Sequence, residues 1–326
     1  RYIDDDTNNF IGVYVFKHIK REWKSYTIER GFIMSNNNPL KQFFNGDFEE
    51  QPQEYPGIQK QMTPVPDCGE ETYEGANKLK GKKALVTGGD SGIGRAAAIA
   101  YAKEGADVAI AYHPDEQEDA EEVKAVIEKA GQKAVLLPGD LRDAKYAKQM
   151  VKDAHSQLNG LDILVLNAGM QQYEYEIENL AADQLTDTFE VNVFSNIYSI
   201  QEALQYFEPG ASIIVTASIQ GVKPSAHLVD YAMTKASNIS MTKSLAAQLG
   251  PKGIRVNAVA PGPIWTPLQV SGGQPQESLP KFGQNQPLQR AGQPVELADV
   301  YVLLASDNAS YITGQVYGVT GGAPIN

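Results

Sequence analysis

The stretch KALVTGGDSGIG, residues 83–94, decides how this chain folds. Ala84, Leu85 and Val86 form a short apolar run that is typical of a strand buried on both faces. A glycine-rich turn follows and opens directly into a helical stretch, 95–103. Such glycines let the backbone bend sharply and approach a pyrophosphate, whose charge is favoured at the N–H groups of a helix N-terminus. The stretch predicts a strand, a tight turn and a phosphate-binding helix start.

The glycine spacing by itself leaves an alternative open. Gly88, Gly92 and Gly94 read GxxxGxG, which departs from the GxGxxG pattern of dinucleotide folds and also fits a glycine-rich surface turn. The rest of the chain favours the first interpretation, because strands and helices alternate from Lys82 onward and so predict a parallel sheet with helices on both faces. The seven strand candidates are 83–87, 107–112, 133–138, 163–166, 212–216, 255–259 and 315–319.

Composition excludes several classes of function. The chain has 326 residues and a net charge of −12, so we expect no binding of nucleic acid or of an anionic membrane. Its single cysteine, Cys68, cannot form an internal disulfide, and without a secretory apolar region we expect a cytoplasmic protein. The four histidines lack any paired ligand spacing, so we expect no metal. Partners should be small molecules or further copies of the chain.

Differences in composition divide the chain into three segments. Residues 1–33 differ from the rest, and we expect that the natural product starts at Met34, with 1–33 a non-native or upstream leader; an amphipathic N-terminal helix is the alternative. Residues 34–80 form an arm in which repeated prolines exclude a long helix. Its aromatic residues predict that part of the arm packs across a neighbouring subunit, against the alternative of a flexible tail; they are Phe43, Phe44, Phe48, Tyr55 and Tyr73. Residues 81–326 should form one domain.

Two residues in the segment YAMTK, Tyr231 and Lys235, predict proton-transfer chemistry. They are four apart, so in a helix both lie on one face. A free tyrosine has a pKa of about 10, and a neighbouring lysine cation stabilises the phenolate and lowers that value. Thirteen residues earlier, Ser218 follows a strand candidate, at the end where parallel strands face the ligand crevice.

Together these motifs resemble the short-chain dehydrogenase/reductase family, over residues 80–322. The family's glycine motif TGxxxGxG matches Thr87 to Gly94, and its active-site serine, tyrosine and lysine match Ser218, Tyr231 and Lys235. Further matches are its NAG motif at Asn167, Ala168 and Gly169, its active-site asparagine at Asn192, and its PG motif at Pro261 and Gly262. The resemblance implies a doubly wound Rossmann fold with a seven-stranded parallel sheet.

The resemblance also implies an NAD(P)-dependent oxidoreductase acting on CH–OH groups. Ser218 would hydrogen-bond the carbonyl oxygen, Tyr231 would give or take the proton, and hydride would pass between nicotinamide and carbon. Lys235 would hold the nicotinamide ribose and lower the pKa of Tyr231, and Asn192 would anchor a water that relays protons. The residues expected to bind cofactor are Gly88, Ser91, Gly92, Ile93, Gly94, Tyr112, His113, Asp140, Leu141, Asn167, Ala168, Gly169, Tyr231, Lys235, Pro261, Gly262, Ile264 and Thr266.

The choice of cofactor rests on the end of the second strand. An acidic residue there would bind the adenosine ribose 2′-hydroxyl and indicate NAD, but Tyr112 and His113 stand in its place. Ser91 stands where a lysine or arginine would favour NADP, and the acidic residues within 115–119 would repel a 2′-phosphate. We expect NAD, while Arg95 and His113 leave NADP open.

The remaining expectations concern a lid over the substrate, the substrate itself and the oligomeric state. Residues 263–293 should form a mobile lid with Trp265, Leu268 and Phe282 on its inner side. The expected substrate contacts are Gln171, Ser218, Gln220, His227 and Tyr231, with Val222 nearby. The arm resembles that of bacterial general-stress and aldehyde-reductase members, which favours an aldehyde, ketone or sugar-like substrate. The family also implies a homotetramer.

Two alternative functions stay open. One is a non-catalytic dinucleotide sensor or scaffold, and the other is an isomerase or dehydratase that uses bound NAD transiently.

Overall fold

This computed structural model describes residues 38–325. The expectations for residues 1–33 lie outside the described residues. The contacts divide the chain after residue 42. Residues 38–42 form a turn in which the Lys41 N–H donates to the Asn38 carbonyl oxygen at 2.9 Å, and the sections below concern residues 43–325.

A parallel sheet forms the centre of this unit, and it has seven strands over the described residues, in the order β3-β2-β1-β4-β5-β6-β7. The doubly wound α/β prediction is confirmed, and every predicted strand agrees with an observed one to within two residues. The order reverses between β1 and β4, which opens the crevice where ligands bind in such sheets. The strands are β1 (Lys83–Thr87), β2 (Asp107–Tyr112), β3 (Ala134–Pro138), β4 (Ile163–Leu166), β5 (Ser212–Thr216), β6 (Arg255–Pro261) and β7 (Val316–Val319).

Helices cover both faces of the sheet because the strand side chains alternate between two apolar cores. In β1, Val86 belongs to the core under α1, α2 and α7, while Leu85 points into the core under α3, α5 and α6; both are fully buried. None of the helices within residues 38–325 has the length and apolar character that a membrane crossing requires. The helices are α1 (Gly92–Lys103), α2 (Gln117–Lys129), α3 (Ala144–Leu158), α4 (Ala182–Phe189), α5 (Ser195–Ala203), α6 (Val229–Leu249) and α7 (Val295–Ala305).

The arm, residues 43–80, packs on the chain's own lid, residues 263–293. Phe48 and Met62 of the arm share a small buried core with Trp265, Val270 and Leu279 of the lid. The Phe48 ring is buried within its own chain, so the alternative of a flexible tail does not hold at this residue, while the packing of part of the arm across a neighbouring subunit stays a prediction.

The lid also differs from the expectation. Trp265 is fully buried and its Nε1–H donates to the Pro64 carbonyl oxygen at 2.8 Å, so its ring faces the arm and not the substrate side. The base of the lid is closed by a parallel bridge between Ile264 and Gly292. The lid is thus held at its base and along its arm-facing side.

Candidate active site

The turn between β1 and α1 depends on close backbone contacts. Gly88 has a φ of +60°, a region that favours glycine. A Cβ on Gly94 would lie 1.8 Å from the Gly88 carbonyl oxygen, so only glycine allows the helix to start this close to the turn. The Gly92 N–H donates to the Gln59 side chain of the arm at 2.7 Å, which removes one helix N-terminal donor from any ligand.

Asn167 of the NAG motif ties three strand ends together. Its backbone N–H donates to the Thr87 hydroxyl at 2.9 Å, and its side-chain amide donates to the Gly88 carbonyl oxygen at 3.2 Å. The Thr216 hydroxyl donates to the Asn167 side-chain oxygen at 3.1 Å. These bonds connect the ends of β1, β4 and β5 and so fix the floor of the crevice.

One large cavity of about 1070 Å³ opens at the carboxyl ends of the strands. This volume is slightly larger than the roughly 300–1,000 Å³ typical of small-molecule sites. Most of the predicted site residues line it, namely Gly88, Ser91, Ile93, Tyr112, His113, Asp140, Leu141, Asn167, Ala168, Gly169, Gln171, Ser218, Gln220, His227, Tyr231, Lys235, Pro261, Gly262, Ile264 and Thr266. Gly92, Gly94, Asn192 and Val222 do not line it.

Ser218, Tyr231 and Lys235 meet on one wall of this cavity, and each is at most 6% exposed. Ser218 follows β5, where its hydroxyl accepts a hydrogen bond from the Gln220 N–H at 3.1 Å. Tyr231 and Lys235 lie one turn apart in α6, and the lysine Nζ is 5.4 Å from the centre of the tyrosine ring. The same Nζ donates to the Thr216 carbonyl oxygen at 2.8 Å, which fixes the position of the ammonium.

Burial dominates the proton affinities of this trio. It raises the pKa of Tyr231 to about 12, although a hydrogen bond with Ser218 opposes the rise. It lowers the pKa of Lys235 to about 8. In the chain alone, Lys235 therefore does not lower the pKa of Tyr231 as expected. Burial removes hydration and so disfavours the charged forms of both groups, the ammonium of Lys235 and the phenolate of Tyr231.

Asn192 lies behind the residues that line the cavity, and its side chain fixes the backbone at Met170. It lies fully buried in a π-helical turn, Glu190–Phe194, between α4 and α5. Its side chain accepts from the Met170 N–H at 2.7 Å and donates to the Met170 carbonyl oxygen at 2.9 Å. Its own carbonyl oxygen accepts from the amides of Asn196 and Asn238 at 2.7 and 3.1 Å. Two side-chain amides therefore already donate to the Asn192 carbonyl oxygen, and the expected role of Asn192 as a water anchor stays a prediction.

Two acidic residues lie at the end of the cavity that contains Tyr112 and His113: Glu116, one of the expected acidic residues within 115–119, and Asp90, which the sequence reasoning missed. Asp90 and Glu116 both line the cavity, and they are 1% and 8% exposed. Neither Asp90 oxygen accepts a hydrogen bond that meets normal geometry from the described residues. Burial raises the pKa of Asp90, and burial together with the charge of Asp90 raises the pKa of Glu116. The pair therefore keeps a proton to higher pH than free carboxyls do.

This end of the cavity suits the ribose of a dinucleotide. The buried Asp90 oxygens, which have no partner of normal hydrogen-bond geometry in the described residues, are acceptors that ribose hydroxyl groups can satisfy, and a buried acceptor without a partner is costly. Asp140 also lines this end, but its carboxylate is engaged by Arg142 at 2.6 Å, and that hydrogen bond lowers the pKa of Asp140. Tyr55 and Pro56 of the arm line the cavity here as well, which the sequence reasoning did not foresee.

The opposite end of the cavity is rich in amide side chains. Gln171 is buried and donates to the Gly273 carbonyl oxygen of the lid at 2.5 Å. Gln220 is tied to Ser225 by two hydrogen bonds of 2.7 and 2.9 Å. Gln269 of the lid has a buried side-chain oxygen without a hydrogen-bond partner in the described residues. His227 lines the same region, as do Leu268 and Phe282 of the lid.

Comparison with known proteins agrees with this geometry. The profile of a protein family described as "Enoyl-(Acyl carrier protein) reductase" matches residues 88–324. "Uncharacterized oxidoreductase YhxD" of Bacillus subtilis is 63% identical over 290 residues, which cover 88% of this chain and 97% of that protein. "General stress protein 39" of the same organism is 49% identical, over 82% of this chain and 93% of its own.

A solved structure extends the comparison to three dimensions. The short-chain dehydrogenase from Burkholderia cenocepacia J2315, in complex with NADP, is 34% identical and has a TM-score of 0.70. The match covers 75% of this chain and 98% of that one. The family expected from the glycine turn, the NAG motif and the Ser218, Tyr231 and Lys235 set is confirmed. This chain belongs to the short-chain dehydrogenase/reductase family of NAD(P)-dependent oxidoreductases.

Proposed function

We propose that the protein transfers hydride between a nicotinamide dinucleotide and a small polar carbonyl or alcohol compound, with Tyr231 as the general acid and base. The observation that carries this proposal is the meeting of Ser218, Tyr231 and Lys235 on one wall of the large cavity. A phenol, a hydroxyl and an ammonium within one buried wall can bind a carbonyl oxygen and supply its proton.

The side chains divide the work as follows. Ser218 donates a hydrogen bond to the substrate oxygen and holds it beside the Tyr231 hydroxyl. Tyr231 donates its proton to that oxygen during reduction and accepts it during oxidation. Lys235, held by the Thr216 carbonyl oxygen, presents its ammonium to the ribose hydroxyls and to the phenolate. The dinucleotide, when bound, supplies or accepts the hydride.

We infer a preference for NAD over NADP. Asp90 and Glu116 place carboxyl groups at the cavity end next to Tyr112 and His113, where an adenosine ribose belongs in this fold. Arg95, the nearby cation that could favour NADP, is engaged by Glu70 at 2.7 Å and by Glu122 at 3.3 Å. A 2′-phosphate would therefore meet negative charge, whereas a 2′-hydroxyl would find an acceptor.

The amide-rich end of the cavity supports a hydroxylated substrate. The unpartnered oxygen of Gln269 is a buried acceptor, and His227 adds a second polar group on the same side. A sugar-like aldehyde or ketone, or the corresponding polyol, carries hydroxyls that can satisfy such groups. Apolar carbonyl compounds would leave them unsatisfied.

A spectrophotometric screen tests the proposal. Purified protein receives NADH or NADPH with a panel of aldehydes, ketones and sugars, and Tyr231→Phe is compared with Tyr173→Phe, which lies outside the cavity lining. We expect oxidation of NADH with hydroxylated carbonyls, loss of at least about 100-fold in Tyr231→Phe, and full activity in Tyr173→Phe. Dinucleotide binding without turnover on any compound would instead favour the sensor or scaffold.

A homotetramer is also proposed. Side chains on and beside α4 and α6 remain exposed apolar surface, including Leu185 at 37%, Phe194 at 44% and Met233 at 50%. Such a surface is typical of an interface between subunits. Light scattering after gel filtration should give four times the 35.5 kDa chain mass; a monomer mass would contradict the proposal.

A further inference from the structure

The arm brings an aromatic residue into the dinucleotide cavity. Tyr55 and Pro56 line the cavity together with Gly88 and His113, although the arm is separate in sequence from the β1–α1 turn. The rings of Tyr55 and His113 are 6.5 Å apart between centroids and inclined by 58°. Neither ring stacks on the other, and both line this end of the cavity.

The position of Tyr55 is fixed by a short closed loop. The Gln53 side-chain oxygen accepts from the Ile58 N–H at 2.6 Å, and its amide donates to the Ile58 carbonyl oxygen at 3.2 Å. These two bonds close residues 53–58 and leave Tyr55 and Pro56 at the tip. Gly57 has a φ of +85°, and a Cβ there would lie 2.9 Å from the Ser271 side chain of the lid. The loop is therefore rigid and seated against the lid.

Two anchors hold this loop on both sides. The Gln53 N–H donates to the Val270 carbonyl oxygen of the lid at 3.0 Å. On the other side, the Gln59 N–H donates to the Asp119 carboxylate at 2.6 Å, and its side-chain oxygen accepts from Gly92 at 2.7 Å. The loop that carries Tyr55 thus spans from the lid to the start of α1.

The surroundings of Tyr55 indicate which part of a ligand it meets. Burial and the charge of Glu116 raise the pKa of its phenol, although 38% of the residue is exposed. Asp90, whose oxygens lack hydrogen-bond partners in the described residues, lines the same part of the cavity. An aromatic ring beside carboxylate acceptors fits a base and its ribose.

We propose that Tyr55 completes the adenosine subsite, its ring covering the adenosine half of the dinucleotide from the arm side. The proposal rests on dinucleotide binding as stated above. It adds that the arm is part of the cofactor site, so that affinity for the adenosine half depends on a residue outside the Rossmann domain.

Equilibrium binding tests the proposal without turnover. The fluorescence of NADH is titrated with the wild-type protein, Tyr55→Ala and a matched control, Tyr173→Ala, whose tyrosine is exposed to nearly the same extent, 37%, but does not line the cavity. We expect Tyr55→Ala to weaken NADH binding about threefold to tenfold, the range that one aromatic contact supplies. Tyr173→Ala should bind as the wild type does.

A shorter ligand separates this effect from a general disturbance of the site. Reduced nicotinamide mononucleotide lacks the adenosine half, so its affinity should be the same for the wild type and Tyr55→Ala. Unchanged NADH affinity in Tyr55→Ala, or an equal loss for the mononucleotide, would overturn the proposal. Failure of the wild-type protein to bind any dinucleotide would instead overturn the proposed function, so the two failures are distinguishable.

Discussion

The ring of Phe48 in the arm stacks on the indole of Trp265 in the lid, with 3.8 Å between centroids and an angle of 12° between planes. Both residues are buried, at 4% and 0% exposure. The exposed Lys281 and Asp47 also pair across the same boundary at 2.7 Å. The arm and the lid therefore form one packed structure. A substitution in the arm should also affect substrate binding on the lid side of the cavity.

Removal of the Phe48 ring should destabilise the protein and loosen the lid. We expect Phe48→Ala to lower the free energy of unfolding by roughly 3 kcal/mol, the usual cost of deleting a buried aromatic side chain. The KM for the carbonyl substrate should rise because the lid loses its support. Urea denaturation and steady-state kinetics measure the two effects. As a control, Phe44→Ala removes a ring that is 40% exposed and should cost about 1 kcal/mol; equal costs for the two variants would contradict this picture.

The raised pKa of Tyr231 should make the two reaction directions differ in their pH dependence. Oxidation of an alcohol requires the phenolate, whose fraction rises tenfold per pH unit below a pKa of about 12. Reduction requires the phenol, which is almost fully protonated over the same range. We expect oxidation rates to climb between about pH 6 and pH 8 while reduction rates stay level.

Initial rates in both directions, in buffers of constant ionic strength, measure this difference. The climb should weaken above the pKa of Lys235, about 8, because the neutral amine supports the phenolate less. An oxidation rate that is already level at neutral pH would show that the bound dinucleotide lowers the pKa of Tyr231 well below its value in the chain alone.

The buried pair of Asp90 and Glu116 should make stability fall as pH rises. The pKa values of both groups are raised in the folded chain, so the folded state holds protons that the unfolded state has released. Stability from this source is present below the unfolded pKa of about 4 and is lost as pH rises through the folded values. Glu116→Gln removes one titrating group, so its free energy of unfolding should vary less with pH.

Chemical denaturation at several pH values tests this prediction. We expect Glu116→Gln to be more stable than the wild type by about 1 kcal/mol near pH 8. Glu118→Gln is the control, because that carboxylate is 61% exposed and pairs with Lys60 at the surface; it should change stability by less than about 0.5 kcal/mol. A Glu116→Gln protein that loses stability at high pH would show that the carboxylate is needed there.

The glycine turn predicts a contrast between two alanine substitutions. In Gly94→Ala the new Cβ would lie 1.8 Å from a backbone oxygen that cannot move aside, so the start of α1 must shift. Gly81 has a φ of +80° with open space around it, so Gly81→Ala should cost only about 1 kcal/mol of backbone strain. Thermal unfolding measures the stability of both variants. NADH titration should show loss of binding for Gly94→Ala and normal binding for Gly81→Ala. Normal NADH affinity in Gly94→Ala would mean that the turn tolerates displacement.

The sheet could be predicted from sequence because its strands are buried on both faces. Such strands consist of short apolar runs between glycine or polar turns, and this local signal located β1, β2, β4 and β5 at their observed ends. The third strand is predicted less accurately: the sequence predicts that it begins at Lys133, whereas it begins at Ala134. The grouping of Tyr231 and Lys235 in the candidate site could also be predicted, because the two residues are close in sequence and share one helix face.

Contacts between distant segments could not be predicted in the same way. Tyr55 reaches the cavity that Asp90 lines only after the arm docks on the lid and on α1, and no local pattern records that docking. Trp265 is expected on the inner side of the lid because the corresponding region of the family folds over the substrate. Its partners, Phe48 and Pro64, lie about two hundred residues away in sequence, and they decide its orientation.

These same separations bear on how the chain reaches its folded state. The Gln51 N–H donates to the Gln276 side chain 225 residues later, and the Asp67 N–H donates to the Gln293 side chain 226 residues later. The arm is synthesised before the lid on which it packs, so its binding surface exists only after residues 263–293 have left the ribosome. Since contacts of high sequence separation form late and slowly, attachment of the arm should be the final step of folding, and the dinucleotide cavity should acquire its arm side last.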